Sequence, residues 1–257
     1  MDEPPCETSS WTQVNIAFPG HNARERERRA AAHLVRILPA AEADGRITSW
    51  FFTRKTRWRI RYRPAKASDS RPLRSLLTQG VDSTNDIYEP EVHAFGGHPS
   101  METAHQLFHA DSHHLLTFLN GAPTDRRERS LILLTTLMRA AGLEFGEQGD
   151  VWARVAEQRS PLRSDLPEPA TWASFTHGVR HLLLGKPRPD DIGSHWLTAF
   201  ETAGGQLKDL RERGQLTRGI RAITALHVIF HWNRIGLTGP TQAELAQAVK
   251  EAILAPY

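Results

Sequence analysis

The stretch Tyr88–Leu119, YEPEVHAFGGHPSMETAHQLFHADSHHLLTFL, decides how the rest of the chain is read. It opens on a tyrosine and two glutamates, Glu89 and Glu91, turns at Gly96-Gly97, and runs into a helical pattern carrying His105, His109, Asp111 and Ser112. A segment that only filled a core would spend these positions on Leu, Val and Ile, so the concentration of ionisable and hydroxyl groups marks a functional unit. Pro90 restricts Glu89 to extended geometry and puts Tyr88 and Glu91 on a strand or its end. The glycine pair permits a tight turn or close backbone approach to a ligand. From Pro99 to Leu119 the spacing predicts a helix, with Ser100 as candidate cap and Met101, Ala104, Leu107, Phe108, Leu115 and Leu119 as its buried stripe.

Upstream, Trp11–Phe18 alternates apolar and polar residues and reads as a half-buried strand, ended by Pro19-Gly20. Asn22–Leu38 follows with helical spacing, Asn22 as N-cap and Ala31, Leu34, Val35 and Leu38 on one face. Ile47–Arg63 reads as two strands joined near Lys55-Thr56. In the second, Arg57, Arg59, Arg61 and Arg63 fall on one face and Trp58, Ile60 and Tyr62 on the other. Four guanidinium groups in a row repel one another unless something negative lies over them: a bound anion, or Asp and Glu of the protein itself. Arg71–Thr78 reads as a short helix and Gly80–Asp86 as a polar loop.

Downstream the pattern is helical: Arg126–Ala141 ended by Gly142, then Leu143–Arg159, Thr171–Leu184, His195–Arg213, Arg218–Arg234 and a last helix after Pro240. Ser160–Pro169 reads as a surface linker, and GKPRPDDIGS (185–194) as a loop long enough to cover a cleft. His105, His109 and His113 share a helix face. They lack a His-Glu-x-x-His pattern, a Cys pair or a second ligand segment, so the residues argue against a metal site. No phosphate-cradling Gly-rich loop is present either, and the expectation is an enzyme without cofactor.

A chain of 257 residues with 39% hydrophobic residues can bury a proper core. The single cysteine, Cys6, lies in a polar tail (residues 1–10, read as flexible), so no internal disulfide framework can form and a reducing cytoplasm fits. No apolar run is long enough to span a bilayer, and the first residues, MDEPPCETSS, lack the basic and apolar parts of a signal peptide. The net charge of +3 is carried almost wholly by arginine, suited to carboxylate or phosphate. No helix-turn-helix, zinc or RNA-binding signature accompanies those arginines, so nucleic acid is not the expected partner.

The Tyr-x-x-Glu segment ending in an aromatic-Gly-Gly turn, followed by Ala-His-x-Leu-Phe-x-x-Asp-Ser, resembles the C-terminal elimination domain of lantibiotic dehydratases and its stand-alone relatives in thiopeptide biosynthesis. Segments Trp50–Tyr62, Ala140–Val155 and His227–Leu237 carry the likeness further, so that it spans most of the chain. The resemblance implies an α+β fold: a small, mostly antiparallel N-terminal sheet from about residues 11–95 packed with a larger helical portion, about 96–257, in a single domain with a site between the two parts. It also implies that His231, two residues before Asn233-Arg234, is the general acid/base. Tyr88, Glu91 and His93 are the further candidate catalytic groups. Arg54, Arg57, Arg59, Arg61, Asp111, Ser112, Asn233 and Arg234 are the candidate substrate-binding residues.

Eliminating members of that family carry an arginine immediately before the aromatic-Gly-Gly turn, where this chain has Ala94. Its loss removes a bidentate carboxylate clamp. The resemblance therefore points toward a pyridine synthase, which joins two dehydroalanines of a precursor peptide in a formal [4+2] cycloaddition and then expels water and the leader peptide. Such a reaction asks for positioning and a proton donor and acceptor rather than a carboxylate trap. The expected partners are a precursor peptide, with an acidic leader and a dehydroalanine-containing core, and other biosynthetic enzymes. A split glutamate-elimination protein and a noncatalytic precursor-binding subunit are the alternatives.

Overall fold

The computed structural model describes residues 11–163, 167–185 and 192–254. The Cys6 tail and most of the 185–194 loop lie outside the described residues. The chain divides into two compact units: residues up to Glu89 together with Ser112–Ala122, and Pro90–Asp111 together with Pro123 onward. Secondary structure is α+β, a four-stranded antiparallel sheet with a helical majority.

In the first unit, strands β1 (Thr12–Ala17), β2 (Ile47–Arg54), β3 (Trp58–Pro64) and β4 (Asp82–Asp86) form one sheet in the order β2-β3-β1-β4. The alternation read in the sequence sets the faces: Val14, Ile16, Ile60 and Tyr62 are fully buried. Strand β4 corrects the expectation of a loop at Gly80–Asp86. Its sequence, DSTND, has poor strand propensity, but its backbone pairs with β1, and the side-chain amides of Gln13 and Asn15 both donate to the Asp86 carboxylate, at 2.7 and 3.0 Å. Helix α1 (Ala23–Ala43) is capped as expected by Asn22, whose side chain accepts from the Glu25 amide, and runs past Leu38 with Pro39 inside it. It packs on β2 and on α2 (Ser70–Thr78).

Helix α3 (His98–Asn120) belongs to both units, which divide it between Asp111 and Ser112. In the first unit the buried Ser112 hydroxyl accepts the Phe52 amide of edge strand β2 at 3.3 Å, and Glu42 accepts from Trp50 at 2.8 Å and pairs with His113 at 3.0 Å. Ser100, expected as the cap, lies within the helix; its hydroxyl is buried and, among the described residues, without a hydrogen-bond partner.

The second unit opens on the turn after Pro90. Strand β4 ends at Asp86, so Tyr88 and Glu91 follow it, and residues 92–96 form one tight turn. Gly96 closes that turn with φ +84°, while the Gly97 amide donates to the Val92 carbonyl at 2.9 Å, a closure that needs the left-handed conformation glycine adopts freely. Helices α4 (Arg126–Ala140), α5 (Phe145–Arg159), α6 (Pro169–Leu184), α7 (Ser194–Glu212), α8 (Ile220–Ile235) and α9 (Gly239–Leu254) follow. Helix α8 is buried on nearly every side, packed against α4 and α5. Trp232 on it donates to the buried Ser130 hydroxyl of α4 at 2.7 Å. Gly204 lets α7 cross α4 closely, since a Cβ there would run into the Leu137 carbonyl oxygen. Among the described residues, no helix is long and apolar enough to cross a membrane.

Candidate functional site

Three residues singled out from the sequence meet inside the second unit. The Asp111 carboxylate, on α3, accepts from His231 Nδ1 at 2.9 Å and from Arg234 Nε at 2.7 Å, both on α8. Its other oxygen accepts from Trp196 Nε1, on α7, at 3.0 Å. Asp111, His231 and Arg234 are fully buried and Trp196 is 3% exposed. The spacing on α8 makes this possible: His231 and Arg234, three residues apart, share a helix face and reach one carboxylate. A carboxylate cannot donate, so the hydrogen on Nδ1 belongs to His231, and in the neutral imidazole Nε2 is then the basic nitrogen. Among the described residues that Nε2 has no hydrogen-bond partner, and neither has Nη1 or Nη2 of Arg234.

Burial alone would push the Asp111 carboxyl up. The charges of His231 and Arg234, and their hydrogen bonds, outweigh it and hold the group down at about 2. Asp111 is therefore ionised and balances the Arg234 guanidinium. Four phenyl rings line the cluster. Phe200 meets His231 edge-on at 5.2 Å, Arg234 lies 4.4 Å from the Phe108 ring centre, Phe108 stacks on Phe230, and Phe95 stands edge-on to Phe108. One turn before His231, His227 is 1% exposed, and among the described residues neither ring nitrogen has a hydrogen-bond partner; burial, aided by the Arg234 charge, draws it down to about 3 and keeps it neutral.

Other candidates fall elsewhere. Glu91 and His93 are exposed on the turn, outside the cluster. At Ala94 the backbone carbonyl accepts from Arg218 Nη1 at 3.0 Å. Asn233 accepts from Gln242 at 3.2 Å. In the first unit the arginines around β3 have protein partners: Arg54, the last residue of β2, pairs with Glu27, Arg57, just before β3, with Asp82 at 2.8 Å, and Arg61 on β3 donates to Gln13 at 2.6 Å while stacking 4.3 Å over Tyr88. Arg59 is half-buried. Tyr88 is 8% exposed, wedged edge-on between Trp11 and Phe51. Ser112 is occupied by the β2 amide. Trp196 was not among the candidates, and the sequence held no sign that its indole would complete the Asp111 shell. Among the described residues, no group of three or more His, Cys, Asp or Glu side chains could hold a metal ion.

The family described as "Lantibiotic biosynthesis dehydratase C-term" matches residues 11–253. The chain belongs to that family. Among solved structures it is similar to the tRNA-dependent lantibiotic dehydratase MibB from Microbispora sp. 107891, with TM-score 0.63 and 18% identity over 98% of this chain. It spans only 29% of the MibB chain. It is also similar to TsrL, with TM-score 0.66 and 16% identity, over 94% of this chain and 93% of that one. No curated protein matches.

Proposed function

We propose that the protein is a pyridine synthase of thiopeptide type, which closes a six-membered ring between two dehydroalanines of a modified precursor peptide and then expels water and the leader peptide. The observation that carries this reading is the Asp111–His231 pair, an ionised carboxylate that fixes an imidazole with its basic Nε2 unengaged. The reaction needs an amide to tautomerise to an azadiene, a proton leaving nitrogen while another reaches oxygen, and an imidazole, with one nitrogen that donates and one that accepts, is suited to both transfers. Holding the two alkenes face to face supplies much of the rest, with effective molarities of about 10⁵ M or more for well-oriented partners. Ala94 in place of an arginine supports cycloaddition over glutamate elimination. Because the cluster is closed to solvent, a substrate reaches His231 only after the covering side chains move. Tyr88, Glu91 and His93 remain candidate proton-transfer groups in this reading, and the protein works in the cytoplasm without cofactor. An acidic leader would reach Arg54, Arg57 or Arg61 by displacing Glu27, Asp82 or Gln13, and Arg59 is the readiest of the four.

One observation favours glutamate elimination instead: the two unpartnered Nη groups of Arg234 form a fork that a departing carboxylate would fill. Mass spectrometry separates the two. Purified protein is mixed with a precursor peptide bearing preformed dehydroalanines, and separately with its glutamylated-serine form. Loss of water and leader from the first, abolished by His231→Ala, is the expected result. Loss of glutamate from the second with the first untouched overturns it, and binding without any mass change leaves a precursor-presenting subunit.

A further inference from the structure

The corner where α7 passes into α8 carries a concavity of about 530 Å³ whose wall includes Arg211, Thr217, Arg218, Gly219, Arg221 and Glu147. We infer that this corner is a carboxylate-binding subsite, which takes an acidic side chain of the peptide substrate. The inference rests on the peptide-modifying reading above and assigns to unit two a contact that the arginines of β3 do not provide.

Three guanidinium groups face this space against one carboxylate. Their commitments are light. Arg218 uses one donor, to the Ala94 carbonyl, and Arg221 pairs with Asp150. The Arg211 side chain has no hydrogen bond or ion pair among the described residues. Each guanidinium carries five donors in a planar fork, the group that takes a carboxylate by paired N–H bonds, and these commitments use few of them. Glu147 is engaged at the start of α5, where it accepts the Glu144 amide at 3.1 Å, and does not neutralise the three cations. The wall also contains the start of α8. Its N-cap, Gly219, offers no side chain, so the first amides of a sixteen-residue helix have no side-chain acceptor there.

The charge beyond the corner decides between a peptide and a nucleic acid. A second concavity of about 590 Å³ begins at Asp150, the partner of Arg221, and is walled by Arg154, Glu157 and Lys250. There two carboxylates stand among two cations, so a phosphate backbone running on from the arginine corner would meet Asp150 and Glu157. A peptide that follows its acidic residue with a neutral or basic one meets matched charge. The loop is also fixed to the turn carrying Glu91 and His93: the Thr217 amide donates to the Gly96 carbonyl at 3.0 Å, and Arg218 holds Ala94. An acidic residue anchored at the corner thus ties the peptide to the turn at the start of the unit.

The test is fluorescence anisotropy at low salt with a fluorescein-labelled peptide of repeating Ala-Glu-Ala-Lys, its Glu→Gln counterpart, and a labelled single-stranded RNA of similar length. The expected result is binding of the glutamate peptide about tenfold or more tighter than the glutamine one, lost in Arg211→Gln and weakened by added NaCl. Arg211 holds no structural bond, so its variant is expected to fold, and circular dichroism checks that. Equal binding of the two peptides, or an undiminished Arg211→Gln, overturns the subsite. RNA bound more tightly than the glutamate peptide, with loss in the same variant, overturns it in favour of nucleic acid. The readout is binding, so failure of the cycloaddition assay does not decide it.

Discussion

Replacing His227 by phenylalanine should flatten the dependence of stability on pH between 7.5 and 5. The imidazole is buried with neither nitrogen satisfied, against Phe95 at 5.2 Å and Phe108 at 6.0 Å, and burial with the Arg234 charge draws it from the ordinary 6.5 to about 3. A group kept neutral in the fold and free to protonate when unfolded contributes stability that is complete above 6.5 and is lost as pH falls from there toward 3. At pH 5 the unfolded chain has gained one and a half pH units of proton binding that the fold refuses, or about 2 kcal/mol at 1.36 kcal/mol per unit. Asp111, held at about 2 rather than 3.8, loses its contribution only below that range and does not contaminate the comparison. Urea denaturation at pH 7.5 and 5, followed by tryptophan fluorescence, measures the change for both proteins. The wild type should lose about 2 kcal/mol more than His227→Phe across the interval. Equal losses would falsify the claim that the ring is neutral and unsolvated.

Asp111→Asn should cost about 3–5 kcal/mol of stability, because it leaves the buried Arg234 charge uncompensated, and should abolish turnover along with His231 orientation; urea melts and the peptide mass assay measure each. Gly204→Ala should lower stability by about 1–3 kcal/mol, since its new methyl meets the Leu137 carbonyl rather than a movable side chain; an unchanged melting temperature would refute the close crossing. Trp232→Phe strands the buried Ser130 hydroxyl and should cost about 1–3 kcal/mol, most of it recovered when Ser130→Ala is added.

The helices and three of the four strands were legible because their periodicity is local. Strand β4 was not: DSTND has no apolar alternation, and only the open edge of β1, with the Gln13 and Asn15 amides waiting for Asp86, makes it a strand. Helix α1 outran its reading because Pro39 is an expected stop, while the chain continues helically to Ala43. At the site, Asp111 itself carried a signal that went unused. It falls on the stripe of Met101, Ala104, Phe108 and Leu115, where a charge must find a buried counter-charge, and Arg234, fully buried on α8, poses the same demand. The pairing of the two is long-range, so neither segment names its partner. The alternation along β3 was legible, yet the commitment of Arg54 on β2, Arg57 before β3 and Arg61 on β3 to Glu27, Asp82 and Gln13 depends on side chains far away in sequence.

Consecutive residues of α3 serve different masters: Asp111 secures the α8 cluster, and Ser112 receives the Phe52 amide on the β2 edge. A gene fragment ending at Glu89 would encode all four strands and still lack the hydroxyl that finishes the sheet border. A fragment starting at Pro90 would carry that hydroxyl with nothing to receive. No single cut separates the halves intact, so recombination or grafting of either piece has to carry the helix as shared property.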